Sequence, residues 1–100
     1  MAYLKLRVVG GKMMICSAYA PHSGKAFEDR RAFYSDLSTF LSGVSSRGPL
    51  LVRGDFNVRL HRRFPQEEAI MGPYVFGNPA AEYNPSSNRS LLAELCTRHR

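Results

Sequence analysis

The sequence lacks tryptophan and contains only two cysteines, Cys16 and Cys96, which stand far apart in the chain. Two distant cysteines in apolar surroundings do not form the framework of a small disulfide-stapled domain, and they favour a reducing, intracellular setting. No apolar run approaches the length of about 18 residues that a membrane-spanning helix needs. Lys5, Arg7 and Lys12 interrupt the apolar residues near the start, so we expect no signal-peptide core there.

Acidic residues are also scarce. Asp and Glu together number 8 against 14 Lys and Arg, which gives a formal net charge of +6. This surplus favours an anionic partner, with nucleic acid first, although many soluble proteins are equally basic and bind no polyanion. Hydrophobic residues make up 44% of the 100 residues, which is enough for a folded core and excludes intrinsic disorder on composition. The length allows one domain at most.

The spacing of apolar residues predicts a mixed α/β fold. Residues 3–9 alternate as a strand, and a Gly10-Gly11 hairpin turn leads to a second strand over 13–20. Residues 27–44 have helical spacing, and residues 50–53 form a short apolar strand. A helix between two strands predicts a parallel crossover in one sheet.

The second half of the chain is less regular. Residues 59–87 lose periodicity and contain several prolines and glycines, which predicts a long loop of the kind that serves function. Residues 88–97 are predicted to form a short helix with Asn88 as its N-cap. Leu91, Leu92 and Leu95 would be its apolar face, and we expect Cys96 to pack in the core beside them.

The most informative local pattern is Gly54-Asp55-Phe56-Asn57 at the end of a predicted buried strand. Side chains alternate along a strand, so Asp55 and Asn57 would face the same way while Phe56 points into the core. Ligands gather at the carboxyl ends of strands in α/β sheets. There a carboxylate can take a proton from water or hold a divalent cation, and an amide can donate to a phosphate oxygen. Taken alone, these four residues favour a plain turn.

Two further features have open interpretations. The basic run over residues 59–63 can follow a phosphate backbone or form a solvated loop, and the sequence favours neither. Phe64 and Tyr74 can stack on bases, although loop aromatics more often pack against their own domain.

Three motifs in order resemble a known superfamily. Residues 18–21 (Ala-Tyr-Ala-Pro), the helix with Arg30-Arg31 near its start, and residues 49–58 together resemble the endonuclease/exonuclease/phosphatase superfamily. This is the fold of DNase I and the exonuclease III-like abasic-site endonucleases. Residues 72–96 are similar to the loop and following helix of LINE-type retrotransposon endonucleases and the craniofacial-development-protein-2-like genes. The resemblance implies a partial four-layer α/β sandwich, with residues 1–100 as a single partial domain: hairpin, helix, strand, long loop and short helix.

The resemblance also implies site residues. Asp55 matches the aspartate that activates or orients the attacking water, Asn57 matches the asparagine that contacts the scissile phosphate, and the hydroxyl of Tyr19 would face that phosphate. Mg²⁺ or Mn²⁺ would be the cofactor and DNA the partner, contacted through its phosphate backbone. The expected nucleic-acid contacts, with His22 standing where many relatives have Asn, are His22, Lys25, Arg59, Arg62 and Arg63.

The family pattern is incomplete here. An Asn and a metal-binding Glu would precede residue 1, no Asp follows Asp55, and His99 is not part of an Asp-His pair. The resemblance therefore implies an internal segment of a Mg²⁺-dependent DNA phosphodiesterase of retrotransposon origin. We expect it to be inactive alone and to hold no metal tightly, with Asp55 contacting a metal only indirectly. The expected location is intracellular and compatible with the nucleus, without membrane association, and no oligomeric state is predicted.

Two alternatives to this function are considered. The first is a non-catalytic truncated copy that is inert or binds nucleic acid weakly. The second, within the same fold, is a phosphatase of lipid or inositol substrates. The basic charge and the LINE-like segment at residues 72–96 argue against the second.

Overall fold

The computed structural model of the chain describes residues 14–44 and 50–99, and within them it has mixed α/β architecture. Strand β1 is Met14–Tyr19, helix α1 is Phe27–Val44, and strand β2 is Leu50–Asp55. A short 3-10 helix, Pro65–Glu67, interrupts the long loop, and helix α2 is Asn88–Arg98.

The two described strands form a parallel pair. Met14 lies opposite Leu50, and Tyr19 lies opposite Asp55 at the carboxyl ends. Because α1 connects the two strands, the predicted parallel crossover is confirmed. The predicted strand over 3–9 and its Gly10-Gly11 turn lie outside the described residues.

Helix α1 has the bounds that its apolar spacing predicted. Phe33, Leu37 and Leu41 recur every four residues and are all buried, which places them on one face of the helix. Glu28 and Asp29 lie in the first turn, where carboxylates interact favourably with the positive end of the helix dipole.

The core joins β1, α1 and α2. Cys16 and Ala18 of β1 pack against the buried face of α1, and Leu91 and Leu95 of α2 belong to the same cluster. Phe56, the residue after β2, is half-buried and packs against this cluster, so its predicted direction toward the core is confirmed. The start of α2 is thereby held close to the segment that follows β2.

Two predictions about α2 are wrong. Ser87, not Asn88, is the N-cap, because the Ser87 side chain accepts a hydrogen bond from the Ser90 backbone N–H. Cys96 is exposed and does not pack in the core. The buried face follows Leu91 and Leu95, and Cys96 lies about 100° further around the helix than Leu95.

Within residues 14–44 and 50–99, no helix combines the length and the apolar character that crossing a membrane requires.

Candidate functional site

A cleft of about 490 Å³ lies at the carboxyl end of β2. Asp55, Asn57 and Arg59 line one part of it, and Asn84 and Asn88, from the loop before α2 and from the helix start, line another. The cleft therefore joins residues that stand about thirty positions apart in the sequence.

Gly54 lets β2 come close enough to β1 to form this edge. Its φ is +144°, and a Cβ built on it would lie 1.7 Å from the Ala18 carbonyl oxygen. Only a residue without a side chain fits this approach. The main chain then continues into Asp55, opposite Tyr19.

Asp55 and Asn57 meet through a turn. The Asn57 N–H donates to Asp55 Oδ1 at 2.9 Å, and Asn57 has a φ of +50°, which asparagine tolerates better than most residues. Strand alternation was thus the wrong reason for expecting them together, since β2 ends at Asp55. Both nevertheless line the cleft. The turn interpretation and the site interpretation of these residues are compatible, because the turn itself brings the two side chains to the cleft.

The side chain of Asn57 also links the residues that follow the two strands. Its Nδ2 donates to the Ala20 carbonyl oxygen at 2.6 Å, and the Ala20 N–H donates to the Asp55 carbonyl oxygen at 2.8 Å. A carboxamide nitrogen carries two hydrogens, so the second can donate to a bound acceptor such as a phosphate oxygen.

A buried network of hydrogen bonds around Asn88 connects the segments that follow β1 and β2 to α1. Asn88 Nδ2 donates to the carbonyl oxygens of Pro21 at 3.0 Å and Asn57 at 3.2 Å. Asn88 Oδ1 accepts from Arg30 Nη1 at 3.2 Å, and Asn88 and Arg30 are both buried. The Asn88 carboxamide thus binds α1 and the segments that follow β1 and β2. Sequence reasoning missed this role of Asn88, because no local pattern indicates which loop a side chain will reach.

Arg30 is satisfied by oxygen acceptors from two parts of the chain. Its Nε donates to the Lys25 carbonyl oxygen at 3.1 Å and its Nη1 to the Ser86 carbonyl oxygen at 2.6 Å. A buried guanidinium is costly unless its donors are paired, so these bonds fix the approach of α2 to α1.

Tyr34 supports the other side of the turn. Its hydroxyl donates to the Phe56 carbonyl oxygen at 2.9 Å. A phenol is protonated at neutral pH and can donate this hydrogen bond, and burial raises the pKa of Tyr34 further.

The remaining predicted catalytic residue, Tyr19, is 69% exposed and lies opposite Asp55 in the sheet, but it is not among the residues that line the cleft. His22 and Lys25 lie in the exposed turn after β1. His22 Nδ1 accepts from the Gly24 N–H at 3.0 Å, and the Lys25 N–H donates to the His22 carbonyl oxygen at 3.0 Å. Neither residue lines the cleft, although Ser23 between them does.

The basic run divides into an exposed and a packed part. Arg59 is exposed and lines the cleft. The Arg62 guanidinium lies 4.7 Å from the centre of the Phe64 ring, and Arg63 Nη1 donates to the Met71 carbonyl oxygen at 3.2 Å. Phe64 is buried, so its predicted packing is confirmed, whereas the same expectation is wrong for Tyr74, which is 90% exposed.

An ion pair that the sequence did not predict fixes the loop to α2. Both carboxylate oxygens of Glu67 accept hydrogen bonds from Arg89, and the Phe64 N–H donates to Glu67 Oε1 at 2.8 Å. Burial alone would raise the pKa of Glu67, but the hydrogen bonds from Arg89 and from the Phe64 backbone, with the charge of Arg89, lower it. Arg89 also donates to the Arg62 carbonyl oxygen. These contacts hold the basic run beside the cleft.

The residues around the cleft do not by themselves fit a tightly held divalent metal. Asp55 and Glu82 are the carboxylates in its lining, and Asp55 Oδ1 already accepts the Asn57 N–H. Across the described part of the chain, no three His, Cys, Asp or Glu side chains converge as a ligand group. Mg²⁺ prefers near-octahedral oxygen coordination, so two carboxylates would leave most of the coordination positions to water and substrate phosphates.

No family model, curated protein or solved structure matches this chain.

Proposed function

We propose that this chain is part of a Mg²⁺-dependent phosphodiesterase domain of the DNase I-like, four-layer α/β type. The reaction would be endonuclease-type hydrolysis of DNA phosphodiester bonds, in a protein of retrotransposon origin. One observation carries the proposal: β2 of the parallel pair ends at Asp55, and the turn that follows hydrogen-bonds Asn57 to Asp55 at a cleft that Arg59 also lines. A nuclear, intracellular site of action is part of the proposal, because the substrate is DNA.

Each cleft residue has a chemical role in this proposal. The free oxygen of Asp55 orients a water molecule toward phosphorus, and the free amide hydrogen of Asn57 donates to a phosphate oxygen where charge builds up. Arg59 attracts the phosphate backbone. Tyr19, at the end of the neighbouring strand, would reach the phosphate from the other side of Asp55, and His22 and Lys25 would contact the strand further along.

The chain is not expected to complete the reaction alone. Phosphodiester hydrolysis needs a group that activates the nucleophile and a positive charge that balances the phosphate, and the two carboxylates of the cleft, Asp55 and Glu82, have the wrong sign for the second task. In the complete domain, the metal-binding Glu and the catalytic His would come from segments outside this chain, as the resemblance implies.

A second candidate is a non-catalytic copy that binds nucleic acid weakly. The observation that favours it is the combination of a net charge of +6 with only two carboxylates in the cleft lining. In that case contact would spread over the basic surface, and the Asp55 edge would have no special proximity to phosphate.

Binding to duplex DNA separates the two candidates. Asp55→Asn keeps the oxygen that accepts the Asn57 N–H but removes the negative charge. A phosphate about 5 Å away is repelled by about 0.8 kcal/mol in water, so losing this charge should tighten binding about fourfold. Fluorescence anisotropy of a labelled duplex at about 0.1 M salt measures this change.

Asp36→Asn is the matched control, because Asp36 is exposed on α1 and does not line the cleft. The charge change is the same, but screening over about 10 Å should leave affinity nearly unchanged. Equal effects of the two variants would refute phosphate binding at the Asp55 edge and favour the diffuse, non-catalytic mode.

Nicking of supercoiled plasmid tests the expected inactivity. The chain should show no Mg²⁺-dependent nicking above buffer. Nicking that disappears in Asp55→Ala would show that the chain is active alone and would overturn the incomplete-domain part of the proposal. Nicking that persists in that variant indicates a contaminating nuclease.

A further inference from the structure

Two aromatic side chains are displayed to solvent with almost no contact to their own domain. Tyr74 is 90% exposed and Phe76 is 92% exposed, more than any other large apolar side chain among residues 14–44 and 50–99. Other aromatics of the irregular segment behave differently, since Phe64 is buried and packs edge-to-face with Tyr83 at 5.4 Å. The fold therefore leaves unused the hydrophobic stabilisation that these two rings would provide if buried.

The segment that carries these rings is fixed at both ends. On one side, Arg63 Nη1 donates to the Met71 carbonyl oxygen at 3.2 Å. On the other, the Asn78 N–H donates to His61 Nδ1 at 3.2 Å. The two anchors lie only two positions apart in the basic run, so both ends of the loop of residues 72–77 are attached to that run.

Gly77 makes the second anchor possible. Its φ is +148°, and a Cβ built on it would lie 2.6 Å from His61 Cα. A backbone approach this close indicates that the aromatic loop is seated on the basic run. Pro73, inside the loop, further restricts its backbone. The rings are thus presented by a constrained loop.

Charge identifies the partner that fits this loop. The basic run provides Arg59, Arg62 and Arg63, and no acidic residue occurs between positions 69 and 81. The surface therefore combines flat aromatic faces with neighbouring guanidinium groups. A strand of nucleic acid with unpaired bases has the matching chemistry, because its bases present π faces and its backbone is anionic.

We propose that Tyr74 and Phe76 form a stacking surface for the unpaired bases of single-stranded nucleic acid, whose phosphates lie along residues 59–63. This inference rests on the proposed function only for its choice of nucleic acid as the partner. It adds a preference for single strands, because bases in a duplex are already stacked on each other and present no free faces.

The experiment compares affinities for an oligothymidylate of about twelve nucleotides, a length within the range of single-strand binding sites. Tyr74→Ala with Phe76→Ala should weaken binding about fivefold to tenfold for each ring removed, by the lower range of base-stacking contributions. The double swap Tyr74→Phe with Phe76→Tyr keeps both rings and should keep the affinity. Both sites are exposed loop positions, so these variants should fold as the wild type does.

A ligand control isolates stacking from charge. An abasic oligomer with the same number of phosphates should bind wild type more weakly than the oligothymidylate and should not distinguish it from the double alanine variant. Because the chain has no tryptophan, Phe76→Trp introduces a single indole whose fluorescence should be quenched by the oligothymidylate and not by the abasic oligomer.

Several outcomes would overturn the inference. These are an unchanged affinity of the double alanine variant for oligothymidylate, equal affinities for the abasic and the base-bearing oligomers, and absence of quenching. A fourth such outcome is that the wild type self-associates with rising concentration and the double alanine variant does not, while both bind the oligonucleotide equally well. The loop would then bind a second copy of the chain. The duplex test at Asp55 is independent of all four, so either proposal can fail while the other stands.

Discussion

Replacing Gly54 by alanine tests how the two strand ends come together. The added Cβ would lie 1.7 Å from the oxygen, 2.7 Å from the carbon and 2.9 Å from the nitrogen of Ala18. These are backbone atoms one residue before the end of β1, so no side-chain rotation can relieve the overlap. The φ of +144° adds strain, which costs about 1 to 3 kcal/mol for a residue with a side chain.

The clash must be relieved by moving β2 away from β1. The bond from the Ala20 N–H to the Asp55 carbonyl oxygen, at 2.8 Å, and the bond from Asn57 Nδ2 to the Ala20 carbonyl oxygen, at 2.6 Å, would both lengthen. Strain and lost hydrogen bonds together should lower the free energy of unfolding by about 3 kcal/mol or more, with about 1 kcal/mol from each bond. This is a large share of the about 5 to 15 kcal/mol that holds a domain together.

Urea unfolding followed by circular dichroism measures the effect, and Gly43→Ala is its matched control. Gly43 lies in α1, and a Cβ built there would meet nothing within 4 Å. The same chemical change should therefore stabilise the protein at position 43, by about 0.5 to 1 kcal/mol, because alanine favours helix. An unfolding midpoint of Gly54→Ala at or above that of wild type would refute the close approach of the strands.

Two further substitutions test the polar contacts behind the site. Glu67→Gln leaves the Arg89 side chain, which is 12% exposed, without a charged partner and should cost about 3 kcal/mol at neutral pH. Because the pKa of Glu67 is lowered in the folded protein, this stabilisation is present above the ordinary carboxyl range and is lost as pH falls through the folded pKa. The urea midpoints of wild type and Glu67→Gln should thus converge as the pH falls. Glu94→Gln, which removes an exposed ion pair, is the control and should shift the midpoint little. A difference between wild type and Glu67→Gln that does not change with pH would contradict the ion pair of Glu67 with Arg89. Arg30→Met leaves two backbone carbonyls without their donor and should lower the free energy of unfolding by about 3 kcal/mol. The control Arg31→Met, at an exposed position, should lower it by about 0.5 kcal/mol or less. Equal urea midpoints of these two variants would contradict the hydrogen bonds of Arg30.

The parts of the fold that sequence predicted are those decided within one element. The buried residues of α1 repeat every four positions, and its predicted bounds agree with Phe27–Val44. The parallel pairing of β1 and β2 followed from a helix joining two apolar strands. In both cases periodicity and element order carried enough information, since no distant contact had to be known.

The parts that sequence missed depend on where the loops run. Asn88 had the residue type and position of an N-cap, but its side chain reaches the Pro21 and Asn57 carbonyl oxygens, which lie far away in the sequence. Glu67 and Arg89 likewise become partners only because the segment between β2 and α2 folds back on the helix. An Asn, a Glu or an Arg in a polar stretch gives no sign of such a partner.

Asp55 and Asn57 both line the cleft, although the geometry predicted for the two side chains was wrong. Asp55 and Asn57 were expected side by side from strand alternation, but a turn with positive φ at Asn57 joins them. Gly, Asp and Asn prefer turns, and considered alone this preference argued against a site. In the structure, the turn is what brings the Asp55 and Asn57 side chains together at the cleft. Sequence favoured packing for both Phe64 and Tyr74, and only tertiary structure shows that one is buried while the other is exposed.

The cleft depends on the packing of α2 as much as on the strands. Leu91 and Leu95 bury α2 in the same core as α1, and this places Asn88 where it can bind the Asn57 carbonyl oxygen. The ion pair at Arg89, one residue further, fixes the loop that carries the basic run. A change that separates α2 from the core would therefore free the Asn57 carbonyl oxygen and the basic run, whereas Asn57 would keep its own hydrogen bonds to Asp55 and Ala20. The side of the cleft that α2 provides should therefore open before the sheet unfolds, because the contacts of Asn88 and Arg89 belong to the helix and the backbone bonds of the strands do not.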